Sequence, residues 1–267
     1  MLGIEWIAAF LVLGAFVGFM AGLLGIGGGG IMVPMLTTIF LAQGVPVDQV
    51  VHMALGTSMA SIIMTSFASM RAHHKNGAVQ WDIVKVMAPG VVIGTFAATF
   101  AATYMKSSQL AIFFAVFMAY VSIQMAIDKK PKPSQGVVDS KKLFGAGTFI
   151  GVISALVSIG GGSLTVPFLI WQNIDVKKAI ASSAAIGFPL SIAGTVGYII
   201  NGMMQTGSSG MLLGFVYFPA VILISVVSFF TAPLGAKLAH NLPVSKLKKI
   251  FALLLMALSI KMLTSVL

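Results

Sequence analysis

The chain has 267 residues, of which 58% are hydrophobic and 8% charged; its formal net charge is +10 and it has no cysteine. So little charge excludes a soluble domain of this size, whose surface would be too apolar, and the missing cysteines exclude disulfides, thiolate catalysis and cysteine-based metal sites. The positive charge does not point to nucleic acid, because the basic residues are scattered at the ends of apolar runs with no interleaved aromatics.

The N-terminus, MLGIEWIAAF, lacks a basic n-region and carries Glu5, and its apolar character runs well past the length of a signal h-region. It reads as a retained first helix. The apolar segment Trp6 to Leu24 runs into GIGGGGIMVP, Gly25 to Pro34, and a short apolar segment, Ile31 to Leu41, follows. Eleven helical residues rise about 16 Å at ~1.5 Å each, roughly half of a ~30 Å hydrocarbon core. The short segment therefore cannot span alone. It predicts a half-helix that starts near mid-membrane and returns to the side its partner came from, with its irregular backbone inside protein or beside a polar cavity. Full-length apolar segments follow at 48–70, 82–105 and 109–127, then a basic stretch, DKKPKPSQGVVDSKK, at 128–142. The second half runs Leu143 to Val157, Leu164 to Trp171, 176–199, 212–237 and 246–266.

The order repeats. IGGGGIMVPML at Ile26 to Leu36 returns as IGGGSLTVPFL at Ile159 to Leu169, identical at seven of eleven positions. An aspartate follows each motif (Asp48, Asp175), then a small, hydroxyl-rich helix (ALGTSMAS at 54–61, IASSAAIG at 180–187), then an Asn-Gly pair read as a turn (Asn76-Gly77, Asn201-Gly202). A duplicated unit of roughly 125 residues explains this order. It divides the chain into a first transmembrane repeat, 1–127, a linker, 128–142, and a second repeat, 143–267. The predicted fold is an all-α polytopic membrane protein of two repeats, each a glycine-broken re-entrant hairpin plus three transmembrane helices.

Three crossings per repeat is an odd number, so the repeats must have inverted topology. With the linker cytoplasmic, 14 of the 16 Lys and Arg fall inside and only Lys106 and Lys261 outside. This satisfies the positive-inside rule in both halves at once. Both termini then lie outside.

No enzyme signature is present, and all six acidic residues lie near predicted helix ends or in loops. His73 and His74, adjacent in a basic loop, do not share a face and read as solvated, so no metal site is expected. No cofactor motif appears either, since the glycine run lacks the Lys-Ser/Thr of a phosphate loop. What remains is the backbone. A half-helix that begins after glycines leaves its first N–H groups unpartnered, with about +0.5 charge in aggregate. Two such N-termini brought together make an anion site with no formal positive charge. Its expected residues are Gly27, Gly28, Gly29 and Gly30, and Gly160, Gly161, Gly162 and Ser163. Ser163 is read as the N-cap, and Pro34 and Pro167 as first-turn residues. Close helix packing is the alternative use of these glycines. Thr57, Ser58, Ser182 and Ser183 on the following helices either line the cavity or bond their own i−4 carbonyls. His52 is the best-placed protonatable group.

The pair GIGGGGIMVP and SIGGGSLTVP resembles the TauE/SafE family of membrane anion transporters, as does the final LPVSKLKKIFALLLMALSIKML. The resemblance covers essentially the whole chain. It implies a secondary transporter, by family habit an exporter of the bacterial inner membrane, for sulfite, sulfoacetate, other organosulfonates or some organic acids. Thiosulfate carriers of related type use cysteines, which this chain lacks. Expected partners are a small anionic substrate and the lipid bilayer, with no nucleic acid; nothing in the sequence sets an oligomeric state. The alternatives are a carrier of small carboxylates, an anion channel, and a non-transporting membrane scaffold.

Overall fold

The computed structural model describes residues 3–24, 28–127, 139–206, 208–239 and 244–266. Gly27 and linker residues 128–138, on which the sequence placed expectations, lie outside them. The helices are α1 (Ile4–Leu24), α2 (Gly29–Ala42), α3 (Val47–Lys75), α4 (Trp81–Tyr104), α5 (Ser107–Ile127), α6 (Ser140–Val157), α7 (Gly162–Trp171), α8 (Val176–Thr206), α9 (Phe218–Ala239) and α10 (Val244–Val266). Three two-residue strands, β1 (Ser208–Ser209), β2 (Leu212–Leu213) and β3 (Val216–Tyr217), precede α9 and pair antiparallel in the order β1-β2-β3. Among the described residues, eight helices are long and apolar enough to cross a membrane, and α2 and α7 are the two short apolar ones. The chain is a multi-pass helical membrane protein. Its helices are apolar on their outer faces too: α1 buries Phe10, Leu13 and Val17 and exposes Val12 and Phe16.

Glycine sets where both short helices begin. Gly28 (φ 72°) and Gly161 (φ 78°) cap α2 and α7 in the left-handed region, which a Cβ would disfavour. This corrects the cap assignment: Ser163 is the second residue of α7, and its hydroxyl caps nothing. The prolines also sit deeper than the first turn. Pro34 and Pro167 are each the sixth residue of their helix, so the carbonyls of Gly30 and Ser163 lose the partner a regular helix would give them.

The helices pack in pairs whose directions follow from their contacts. Gly14, Gly18 and Gly22 of α1 meet Ile224, Ser228 and Ala232 of α9 in ascending order, so these helices run parallel. Gly147 and Gly151 of α6 meet Met87 and Val91 of α4 in the same sense. α3 and α8 run antiparallel, with Gly56 against Tyr198 and Ser66 against Gly187. So do α5 and α10, where Ser122 Oγ donates to the Ala252 carbonyl (2.7 Å) and Ser259 Oγ to that of Ala115 (3.3 Å). Small residues let these backbones touch, and side-chain hydroxyls bond across the gaps.

Two sequence expectations change in the second half. Asn201-Gly202 is no turn: it lies within α8, where Asn201 Nδ2 donates to the Gly197 carbonyl (2.8 Å) and to Thr99 Oγ1 (3.2 Å). The segment predicted to start at 212 opens with the sheet, and its helix starts at Phe218. The sheet packs onto the N-terminal part of α3. The Tyr217 amide donates to Thr57 Oγ1 (3.0 Å), and buried Phe215 stacks beside His52 with ring centres 5.1 Å apart.

Candidate functional site

The two glycine breaks, 133 residues apart in sequence, meet against the middle of α3. A methyl group on Gly29 would overlap the Ser158 carbonyl oxygen at the end of α6 and lie 3.1 Å from Ile62 Cδ1. Ser158 Oγ in turn reaches the Leu55 carbonyl (3.4 Å). On the other break, a methyl on Gly187 of α8 would lie 2.7 Å from the Gly160 carbonyl and 3.6 Å from Ser66 Oγ. Residues 55 to 66 of α3 therefore run past both breaks.

The two half-helix N-termini are not equally open. At α2, a methyl on Gly28 would meet Val17 Cγ1 at 2.6 Å, and one on Gly30 would meet Met118 Cε at 2.5 Å. At α7, a methyl on Gly161 would meet only Thr165 Oγ1 at 3.5 Å and Leu190 Cδ1 at 3.8 Å. A cavity of about 510 Å³ adjoins α7, lined by Gly160, Gly162, Ser183, Ser66, Ser69 and, near the C-terminal end of α3, His73. The Leu164 and Thr165 amides turn back onto the Gly161 carbonyl (3.3 and 2.8 Å), which leaves the Gly162 and Ser163 amides without a backbone acceptor among the described residues.

Buried hydroxyls without partners gather on these elements. Among the described residues, Ser58, Ser154, Ser163 and Thr165 have side-chain oxygens shielded from solvent and bonded to nothing in the chain. A buried hydroxyl normally finds a partner, so such atoms call for one from outside the protein. Thr165 is fully buried and lies beside Gly161. Its i−4 carbonyl, that of Gly161, is already taken by two amides, so the usual threonine back-bond is not on offer. Ser58 is also fully buried, one turn before Ile62 on the face of α3 that meets Gly29.

The other predicted residues have different places. Ser183 lines the cavity. Ser182 accepts from the Gln80 amide (2.9 Å) at the start of α4, and Thr57 accepts from Tyr217; both are engaged in holding elements together. His52 lies about 30 Å along α3 from the cavity end at His73, by helical rise. Its Nε2 faces the Ala102 carbonyl (2.9 Å), so Nε2 carries the proton, and Nδ1 lies 3.4 Å from Ser107 Oγ. Gly28, Gly29 and Gly30 pack as described.

Sequence reasoning missed Ser66, Ser69, Thr165 and His73. The first two continue the face of Ser58 and Ile62 at helical spacing, a signal that was available. His73 was read as a loop residue; it belongs to the last turn of α3 and is half-buried in the cavity wall, while His74 accepts from Trp81 Nε1 (3.2 Å). Among the described residues, no cluster of His, Asp and Glu has metal-binding geometry. Among the described residues, the cavity wall contains no Lys, Arg, Asp or Glu. Chemically, these elements present backbone amides and hydroxyls as hydrogen-bond donors at the positive end of a helix dipole.

Comparison with known proteins gives one consistent result. A model of the family described as sulfite exporter TauE/SafE matches residues 10–262. A Haemophilus influenzae protein named "Probable membrane transporter protein" is 38% identical over 254 residues, covering 94% of this chain and 96% of its own length. A "Probable membrane transporter protein" of Methanocaldococcus jannaschii is 26% identical, covering 87% of this chain and 86% of its own length.

Proposed function

The chain belongs to the TauE/SafE sulfite exporter family of membrane transporters, and from that premise we propose that it is a secondary transporter whose cargo is a small sulfur oxyanion, sulfite or an organosulfonate such as sulfoacetate. The observation that carries this reading is the cavity at Gly160 and Gly162, with the unpartnered, buried hydroxyls of Ser163 and Thr165 in the first turn of α7 behind that wall. The anion is held by the Gly162 and Ser163 amides, with Thr165, Ser183 and Ser58 as hydroxyl donors. The α2 N-terminus, with Gly28, Gly29 and Gly30, packs against Val17, Ser158 and Met118 outside the cavity wall.

The two halves act as inverted repeats, 1–127 and 143–267, around a cytoplasmic linker. The antiparallel pairing of α3 with α8 and of α5 with α10 supports this, since these helices occupy matching places in the two halves. The cavity lies toward the basic, C-terminal end of α3, and the sheet with Phe215 and Tyr217 covers the opposite end. Under the charge-based topology this is an inward-facing arrangement, and rocking of one half against the other exposes the site outward. Export from the cytoplasm of a bacterial inner membrane is the direction this reading assigns.

Counterflow of labelled sulfite into proteoliposomes preloaded with unlabelled sulfite tests the proposal. Saturable, transient accumulation is expected. Flux without counterflow would make the protein a channel, and no flux of sulfite or sulfoacetate would overturn the reading.

A further inference from the structure

We propose that this site accepts a single negative charge at its buried end, so that sulfite is bound as bisulfite and brings its own proton. The inference rests on the anion-site reading above and concerns the charge state that the site can hold. The positive potential comes from backbone alone. One half-helix N-terminus supplies about half an elementary charge, and both together about one. Among the described residues α7 borders the cavity and α2 does not, and Val17 and Met118 pack against the start of α2. The remaining donors, the hydroxyls of Ser58, Ser163, Thr165 and Ser183, are neutral dipoles. They can solvate the oxygens of an oxyanion but cannot balance a second charge, and an uncompensated charge away from water is strongly disfavoured.

The titratable groups nearby do not supply the missing charge. Among the described residues His73 is the one titratable side chain in the cavity wall, and it lies two turns along α3 from Ser66, about 10 Å by helical rise. On the elements around the site the other charged groups are exposed and stand near helix ends: Arg71 and Lys75 on α3, Lys141 and Lys142 on α6, Lys177 and Lys178 on α8, Lys237 on α9. His52 on α3 and Tyr198 on α8 lie inside the protein but outside the cavity wall. The described acidic residues, Glu5, Asp48, Asp82, Asp139 and Asp175, all stand at helix starts or just before them. No carboxylate on these helices is placed to relay a proton from mid-membrane.

Sulfite has its second ionisation near neutrality, so both of its forms are present in a cell. Binding of the singly charged form moves one proton and one net negative charge per sulfur atom. On release above the second ionisation, bisulfite gives up that proton to water. An organosulfonate meets the same limit with its sulfonate head, which is singly charged at all physiological pH. A second charge on such a molecule, as on sulfoacetate, has to extend along the cavity toward His73 and the basic helix ends.

The test is binding to the purified full chain, read by calorimetry across the second ionisation of sulfite, with sulfite and methanesulfonate as ligands and sulfate as competitor. Sulfite affinity should fall about tenfold per pH unit above that ionisation, following the bisulfite fraction, while methanesulfonate affinity stays flat and sulfate does not compete. Sulfite affinity that does not fall, a methanesulfonate affinity that falls in parallel, or competition by sulfate equal to that of methanesulfonate would each overturn the single-charge rule while leaving anion binding in place. Binding of neither ligand at any pH would overturn the anion site itself, and this inference with it.

Discussion

Thr57 and Thr165 are both fully buried hydroxyls close to a glycine break, yet they have opposite situations. Thr57 accepts the Tyr217 amide, whereas Thr165 bonds to nothing in the chain. Removing a bonded hydroxyl strands its partner, and removing an unpartnered one strands nothing. Thr57→Val should therefore destabilise the protein by about 1–2 kcal/mol, seen as a lower melting temperature in detergent. Thr165→Val should leave melting unchanged or raised, and yet cut sulfite counterflow by about tenfold or more, the weight of one charge-assisted hydrogen bond. Loss of stability in Thr165→Val with full transport would reverse the roles assigned to these two residues. The sequence could not separate them. Hydroxyl type and helical position are alike, and the difference lies in a partner 160 residues away for Thr57 and in an occupied Gly161 carbonyl for Thr165. Ser182 escaped for the same reason, since its partner is the amide of Gln80.

At the level of elements, the half-length helices and the break before each were legible, because a short apolar run after glycines cannot span a bilayer. Their exact caps were not, since serine and glycine both favour helix starts and only the φ of Gly161 decides between them. The β-sheet was invisible because two-residue strands carry no periodicity. Asn201-Gly202 misled for a physical reason: in α8 the Asn201 amide finds bonds to Gly197 and Thr99, and Gly202 is there because the Phe215 backbone approaches too closely for any side chain. Glycines on α1 serve such packing too. A side chain on Gly18 would overlap Ser228 and Thr231 of α9, while one on Gly145 of α6 has nothing within 4 Å. Gly18→Leu should thus cost about 1–3 kcal/mol or more from overpacking, with loss of monodisperse protein in size-exclusion chromatography. Gly145→Leu should elute and melt like the parent. Equal behaviour of the two would show that the α1–α9 contact does not hold the protein together.

For the whole molecule, the unequal distribution of basic residues is a sequence property and predicts an orientation. Which side the cavity faces is a property of conformation and needed the structure. Orientation can be checked with single thiols in the cysteine-free chain: Asn76→Cys, after α3, should react with an impermeant reagent only from the cytoplasm, and Met211→Cys, between β1 and β2, only from outside. The reverse pattern would invert the topology, and with it the direction of transport. The most direct measurement concerns Ser183, which lines the cavity beside Gly160 and Gly162. With Ser183→Cys as the sole thiol, labelling from the cytoplasmic side should be fast and should slow by severalfold under saturating sulfoacetate. Labelling that is indifferent to sulfoacetate, in a variant that still transports it, would place the anion elsewhere.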